Sequence, residues 1–148
     1  MSLSPEMVIA VRRSFAQIRP MADLAATLFY DRLFAIAPEV RPLFPEDMEP
    51  QGARLMQSIG LVVASLDHPE ALAPQLRELG ARHLDYGAEE AHYPIVESAL
   101  LWALREGLQD DFTTPVEVAW QAAVRTVSTL MIEGARTREA THPLNGAG

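Results

Sequence analysis

The sequence predicts an all-α fold of about seven helices, and three observations lead there. Apolar residues recur at the helical period almost throughout the chain. No segment alternates apolar and polar residues between hairpin-type turns, so no sheet is expected. Short, proline-marked connections cut the chain into helices of unequal length. With 148 residues, 49% apolar and 22% charged, the chain suits a single domain over 1–148. The helical core is expected over about 4–134, with a frayed tail over 137–148.

Each element has its own signal. Ser4-Pro5 caps and opens a first helix whose inner face carries Val8, Val11, Phe15 and Ile18. A second helix follows Pro20, with Leu24, Ala25, Leu28, Phe29, Leu33 and Ile36 expected inward. Pro38 and Pro42 bracket a short helical turn, and PLFPEDMEP forms a corner. Leu55, Ile59, Val62, Val63 and Leu66 mark a helix beginning near Pro50. The next opens at His68-Pro69 and carries Leu72, Leu76, Leu79 and His83 on one stripe. Behind His92-Tyr93-Pro94 lies a wide apolar face of Val96, Ala99, Leu100, Ala103, Leu104 and Leu108. Thr114-Pro115-Val116-Glu117 is a capping box introducing Val116, Trp120, Ala123, Val124, Val127, Leu130 and Met131. This is not the four-equal-helix pattern of a simple bundle.

Charge and composition exclude whole classes of function. Twelve Lys plus Arg against 20 Asp plus Glu give a formal charge of −8, which disfavours nucleic acid and anionic membrane surfaces. The absence of cysteine excludes disulfides, thiolate metal sites, thiol nucleophiles and thioether-attached haem. No apolar run approaches the roughly 20 residues of a membrane span. The N-terminal stretch MSLSPEMVIAVRRSF lacks the charge order of a signal peptide, so a cytoplasmic protein is expected.

Four histidines remain as candidates for chemistry. His68, His92 and His142 stand at helix starts or in the tail and read as caps and surface residues. His83 continues an apolar stripe and points inward. A core histidine bonded to a backbone carbonyl is one reading. A metal ligand is the other, with Nε2 on the metal and Nδ1–H donated to a carbonyl one turn back. Tyr30 needs a partner for a buried hydroxyl. Gln51 shares a face with Leu55 and Ile59, and in a first helical turn it can equally be solvated. Phe44 is a corner residue.

The stretches LFYDRLFAIAPEVRPLF, QGARLMQSIGLVVASLD and LGARHLDYGAEEAHYPIVESALLWAL resemble the globin domains of bacterial flavohaemoglobins and single-domain bacterial haemoglobins. RLMQSIGLVV and RHLDYG also resemble neuroglobin-like bacterial globins. The resemblance implies the globin fold, a non-covalent haem b and His83 as the proximal iron ligand. It implies Phe44 stacked on the haem, and Tyr30 and Gln51 as distal donors to dioxygen. Leu55 then matches the apolar residue over the iron, and Tyr93 a tyrosine of the proximal network. That network ends in a glutamate fifteen residues after the position of Trp120, where this chain has Ala135. Glu133 lies two residues earlier, about 200° around a regular helix.

The implied function is reversible binding of dioxygen, nitric oxide and carbon monoxide by a monomer or homodimer. Scavenging and nitric oxide detoxification suit two polar donors better than bulk delivery does. Flavohaemoglobins carry a reductase region after the globin domain, whereas this chain ends at Gly148 without a dinucleotide fingerprint. A nitric oxide dioxygenase reading therefore needs an external reductase. A haem-based gas sensor acting through a partner and a haemless helical adaptor are the remaining alternatives.

Overall fold

The computed structural model describes residues 3–141, and the described part is helical without strands. It contains α1 (Pro5–Ile18), α2 (Ala22–Ile36), α3 (Glu49–Ala64), α4 (Pro69–Asp85), α5 (His92–Leu108) and α6 (Thr114–Thr141). Three 3₁₀ segments join them at Arg19–Met21, Pro38–Leu43 and Gln109–Asp111. The Ser4 hydroxyl accepts the Met7 N–H at 3.2 Å, the N-cap that the sequence suggested.

The main core joins α1, α3, α5 and α6 through Val11, Phe15, Ile18, Val63, Leu104 and Trp120. One polar pair lies inside it. Trp120 Nε1–H donates to Ser14 Oγ at 2.8 Å, and the Ser14 hydroxyl donates back to the Ala10 carbonyl at 2.7 Å. Both buried groups are thereby satisfied, as burial in an apolar core requires.

Two helix pairs dominate the packing, α4 on α6 and α2 on α5. The first pair is notched at its crossing. A Cβ on Gly80 would fall 1.9 Å from the Met131 carbonyl oxygen, and one on Gly134 would fall 1.8 Å from that of Arg77. Each helix thus uses a glycine to seat the other's backbone. By contrast α3 and α4, consecutive in sequence, make almost no direct contact. α3 packs on α2 and α1 while α4 packs on α6, so the two helices belong to different pairs, with a cleft expected between them.

Several expectations need correction. Leu24 and Ile36 are exposed, because the buried face of α2 is the narrower set Ala25, Ala26, Phe29, Tyr30 and Leu33. Leu66 is buried but lies beyond the end of α3. The capping box at Thr114 is not used as written. The Glu117 N–H bonds to the Thr113 carbonyl at 2.9 Å, and the Glu117 carboxylate accepts from Arg105 at 2.8 Å. Helix α6 also continues through Thr141, well past the expected fraying at 137. The rest of the expected tail, His142 included, lies outside the described residues. Among the described residues no helix is long and apolar enough to cross a membrane.

Candidate functional site

The residues that the sequence singled out fall in two neighbourhoods: Tyr30, Phe44 and Leu55 share one apolar cluster, and Tyr93 borders another on α4 and α6. On α4, His83 is half-buried and its Nδ1 lies 2.8 Å from the Leu79 carbonyl oxygen. A carbonyl can only accept, so Nδ1 carries the proton, and Nε2 is the nitrogen that can offer a lone pair. Both readings of His83 share this bond, and it leaves one nitrogen available to a metal.

In the first cluster Tyr30 is 7% exposed, and its ring stands edge-on to Phe44 with centroids 5.6 Å apart. Phe34 stacks on it at 5.9 Å, and Phe29 meets it edge-on at 4.8 Å. These contacts leave the phenol little freedom to turn. Burial raises its pKa above the ordinary phenol value, against smaller lowering effects from a hydrogen bond with Gln51 and the charge of Arg54. The phenol is therefore neutral at physiological pH and able to donate.

Phe44 owes its place to Arg41. The Arg41 guanidinium donates to the carbonyls of Phe44, Pro45 and Glu46 at 3.3, 3.0 and 3.3 Å, closing the corner that precedes α3. The same guanidinium lies over the Phe34 ring, 5.0 Å from its centroid. Gln51 follows in the first turn of α3, half-buried, with its Oε1 accepting from Arg54 Nη2 at 3.1 Å. Leu55 stands one turn further along and lines a small cavity of about 10 Å³ that it shares with Met56, Ile59, Phe29 and Trp120.

Tyr93 opens α5 beside the α4–α6 cluster that includes Leu79 and Met131. Its pKa is raised, first by burial and then by the negative charge of Glu90. Glu90 in turn takes two hydrogen bonds from Arg136, at 2.9 and 2.7 Å. Glu133 is engaged elsewhere, with Arg77 at 3.2 Å. The carboxylate that bears on Tyr93 thus comes from the segment before α5, and α6 supplies an arginine to hold it. Sequence reading missed both Arg54 and the Glu90–Arg136 pair. Arg54 had a local signal, its spacing three residues after Gln51 on one helical face. The second pair joins residues distant in sequence and had none.

The match with known proteins decides the family. Residues 27–131 match the sequence profile of the globins. The chain belongs to the globin family. This globin is 28% identical to a flavohemoprotein of Vibrio cholerae over 97% of its own length, and 30% identical to one of Deinococcus radiodurans over 88%. It spans only 38% and 33% of those two relatives. An engineered carbene transferase, derived from a candidate nitric oxide dioxygenase of Rhodothermus marinus, superposes with a TM-score of 0.82 at 26% identity. That alignment covers 98% of this globin and 99% of the other chain. A bacterial globin of Campylobacter jejuni superposes with a TM-score of 0.79 at 20% identity, covering 90% and 97% of the two chains, and supports the fold alone.

Proposed function

We propose that this globin holds a non-covalent haem b in the α3–α4 cleft and reversibly binds dioxygen, nitric oxide and carbon monoxide there. The observation that carries the reading is His83, whose Nδ1–H is committed to the Leu79 carbonyl and whose Nε2 is left as a neutral donor. The chain has no cysteine to form a thioether, which leaves axial ligation and apolar contact to retain the group. When bound, haem iron supplies the metal centre that holds the gas and exchanges electrons with it.

The chain's own residues set the environment. His83 would hold the iron through Nε2, its ring oriented by the Leu79 carbonyl. Phe44 and Leu55 form apolar walls that exclude water. Tyr30 and Gln51 donate hydrogen bonds to a ligand that gains negative charge, and such charge-assisted bonds are the stronger class. Tyr93 stands on the proximal side, with Glu90 and Arg136 behind it. Two donors in an apolar site slow gas release, which suits scavenging and nitric oxide removal better than delivery. The likeness to flavohemoproteins and to the R. marinus protein favours nitric oxide dioxygenation as the second reading, with electrons supplied by a separate reductase.

Absorption spectra and gas kinetics of the purified chain test this. His83→Ala should abolish the five-coordinate ferrous spectrum, and added imidazole should partly restore it. Tyr30→Phe should speed oxygen dissociation by about tenfold or more, as expected for losing a bond to a charged group. Gln51→Leu should do less. Sustained nitric oxide consumption with an added reductase would establish the dioxygenase. Loss of the spectrum on His92→Ala instead of His83→Ala would remove the assignment.

A further inference from the structure

We propose that Arg54 is a positioning residue of the gas site: its guanidinium holds the Gln51 carbonyl, so that the amide NH₂ is the edge presented toward Tyr30. The inference rests on reading the cleft as the gas site, and it concerns which way a polar group points inside it.

A glutamine amide has one edge that accepts and one that donates, and packing alone hardly distinguishes them. Here a partner distinguishes them. Arg54 Nη2 lies 3.1 Å from Gln51 Oε1, and a guanidinium has donors only. The flipped amide would set donor against donor. Gln51 would otherwise have freedom to turn, since Pro50 and Gly52 flank it in the first turn of the helix. The clamp from one turn further along removes that freedom.

Backbone packing puts the clamped amide beside the right neighbour. A Cβ on Gly52 would stand 3.0 Å from the Ala26 Cβ, so the start of α3 lies tightly on α2 at Ala26. Tyr30 is one helical turn beyond Ala26 and on the same face. Gln51 and Arg54 are the polar neighbours whose influence on the phenol opposes that of burial. The result is an ordered relay. Arg54 donates to the Gln51 carbonyl, one amide hydrogen of Gln51 is turned to the Tyr30 oxygen, and the Tyr30 hydrogen and the second amide hydrogen are left for the gas. Hydrogen bonds aligned in this way polarise one another, so each donor strengthens the next.

The test uses the full haem-loaded chain with Arg54→Met, Arg54→Lys and Gln51→Leu, singly, and with Arg54→Met and Gln51→Leu combined. Arg54→Met should speed oxygen dissociation by about fivefold, the scale of one weakened hydrogen bond. It should also raise the C–O stretching frequency of the carbonmonoxy form, because less positive potential reaches the ligand. Arg54→Lys keeps charge and donor and should restore both readouts to within about twofold of the unaltered chain. In the Gln51→Leu background, Arg54→Met should add less than about twofold, since the two residues act as one unit.

Three results would overturn the proposal. These are no change in Arg54→Met, full additivity with Gln51→Leu, and failure of lysine to rescue. A purified chain without a haem spectrum would sink the gas-site reading separately. The relay is then judged by NMR of isotope-labelled tyrosine in the full chain, where Arg54→Met should raise the Tyr30 pKa. An unmoved Tyr30 titration would end it.

Discussion

At the scale of single residues, polar groups inside the apolar core are few; among the described residues the buried Arg32 Nε has no hydrogen-bond partner, whereas others are paired. Ser14 and Trp120 are such a pair. The serine lies on α1, the tryptophan on α6, and their 2.8 Å bond ties the first helix to the last. Ser14→Ala would leave a buried indole N–H without an acceptor, at a cost of about 1–3 kcal/mol. Denaturant unfolding should show that loss, and an unchanged midpoint would mean that the indole finds another acceptor. Tyr30 gives a pH signature. Burial raises its folded pKa, so the unfolded chain loses the phenol proton first. This contribution to stability is intact below the ordinary phenol value of about 10 and declines as pH rises from there toward the folded pKa. Tyr93 shifts in the same direction. Tyr30→Phe should therefore flatten the alkaline fall in stability, and an unaltered slope would show that Tyr30 ionises freely in the folded chain.

At the scale of elements, the α4–α6 crossing is the tightest feature of the molecule. Gly80 and Gly134 each meet the other helix's backbone, and backbone cannot swing aside as a side chain can. Gly134→Ala should cost about 1–3 kcal/mol by overpacking, the more because the clash is with a carbonyl. Gly80 stands one turn before His83. Pushing α4 off α6 therefore also shifts the imidazole, and the variant should show an altered ferrous haem spectrum as well as a lower melting temperature. A lower melting temperature with an unchanged spectrum would uncouple the crossing from His83. Around this crossing run exposed ion pairs, Arg77 with Glu133, Arg138 with Glu78 and Asp85, and Arg136 with Glu90. Pairs this exposed are each worth about 0–1 kcal/mol, so the glycines and the apolar contacts hold the seam.

At the scale of the whole molecule, the packing separates a well-joined frame from a divided centre. α1, α5 and α6 share the main core with part of α3, while α4 packs on α6 and has little direct contact with α3. A ligand that fills the cleft and binds only the folded chain stabilises it by mass action. Adding haem should raise the melting temperature and slow amide exchange most over residues 44–56 and 79–87, which flank the cleft. A gain confined to α1 and α6 would contradict this placement.

Periodicity, proline and caps let the sequence by itself determine the helices, their order and the inward direction of His83, because these depend on neighbours within one or two turns. Tyr30, Phe44, Gln51, Leu55 and His83 were open to the same kind of reading, since each sits at a defined place on a local element. Leu24 and Ile36 were misjudged because an apolar residue at the margin of a helical face is buried only if another element arrives to cover it. Tertiary structure alone decided what holds the carboxylate beside Tyr93. Ala135 and Glu133 are read from one helix, but Glu90 and Arg136 meet only when α6 packs beside the start of α5. The glycine notch had the same origin: a glycine inside a helix looks like a local weakness until the backbone of another helix fills the space where its side chain would be.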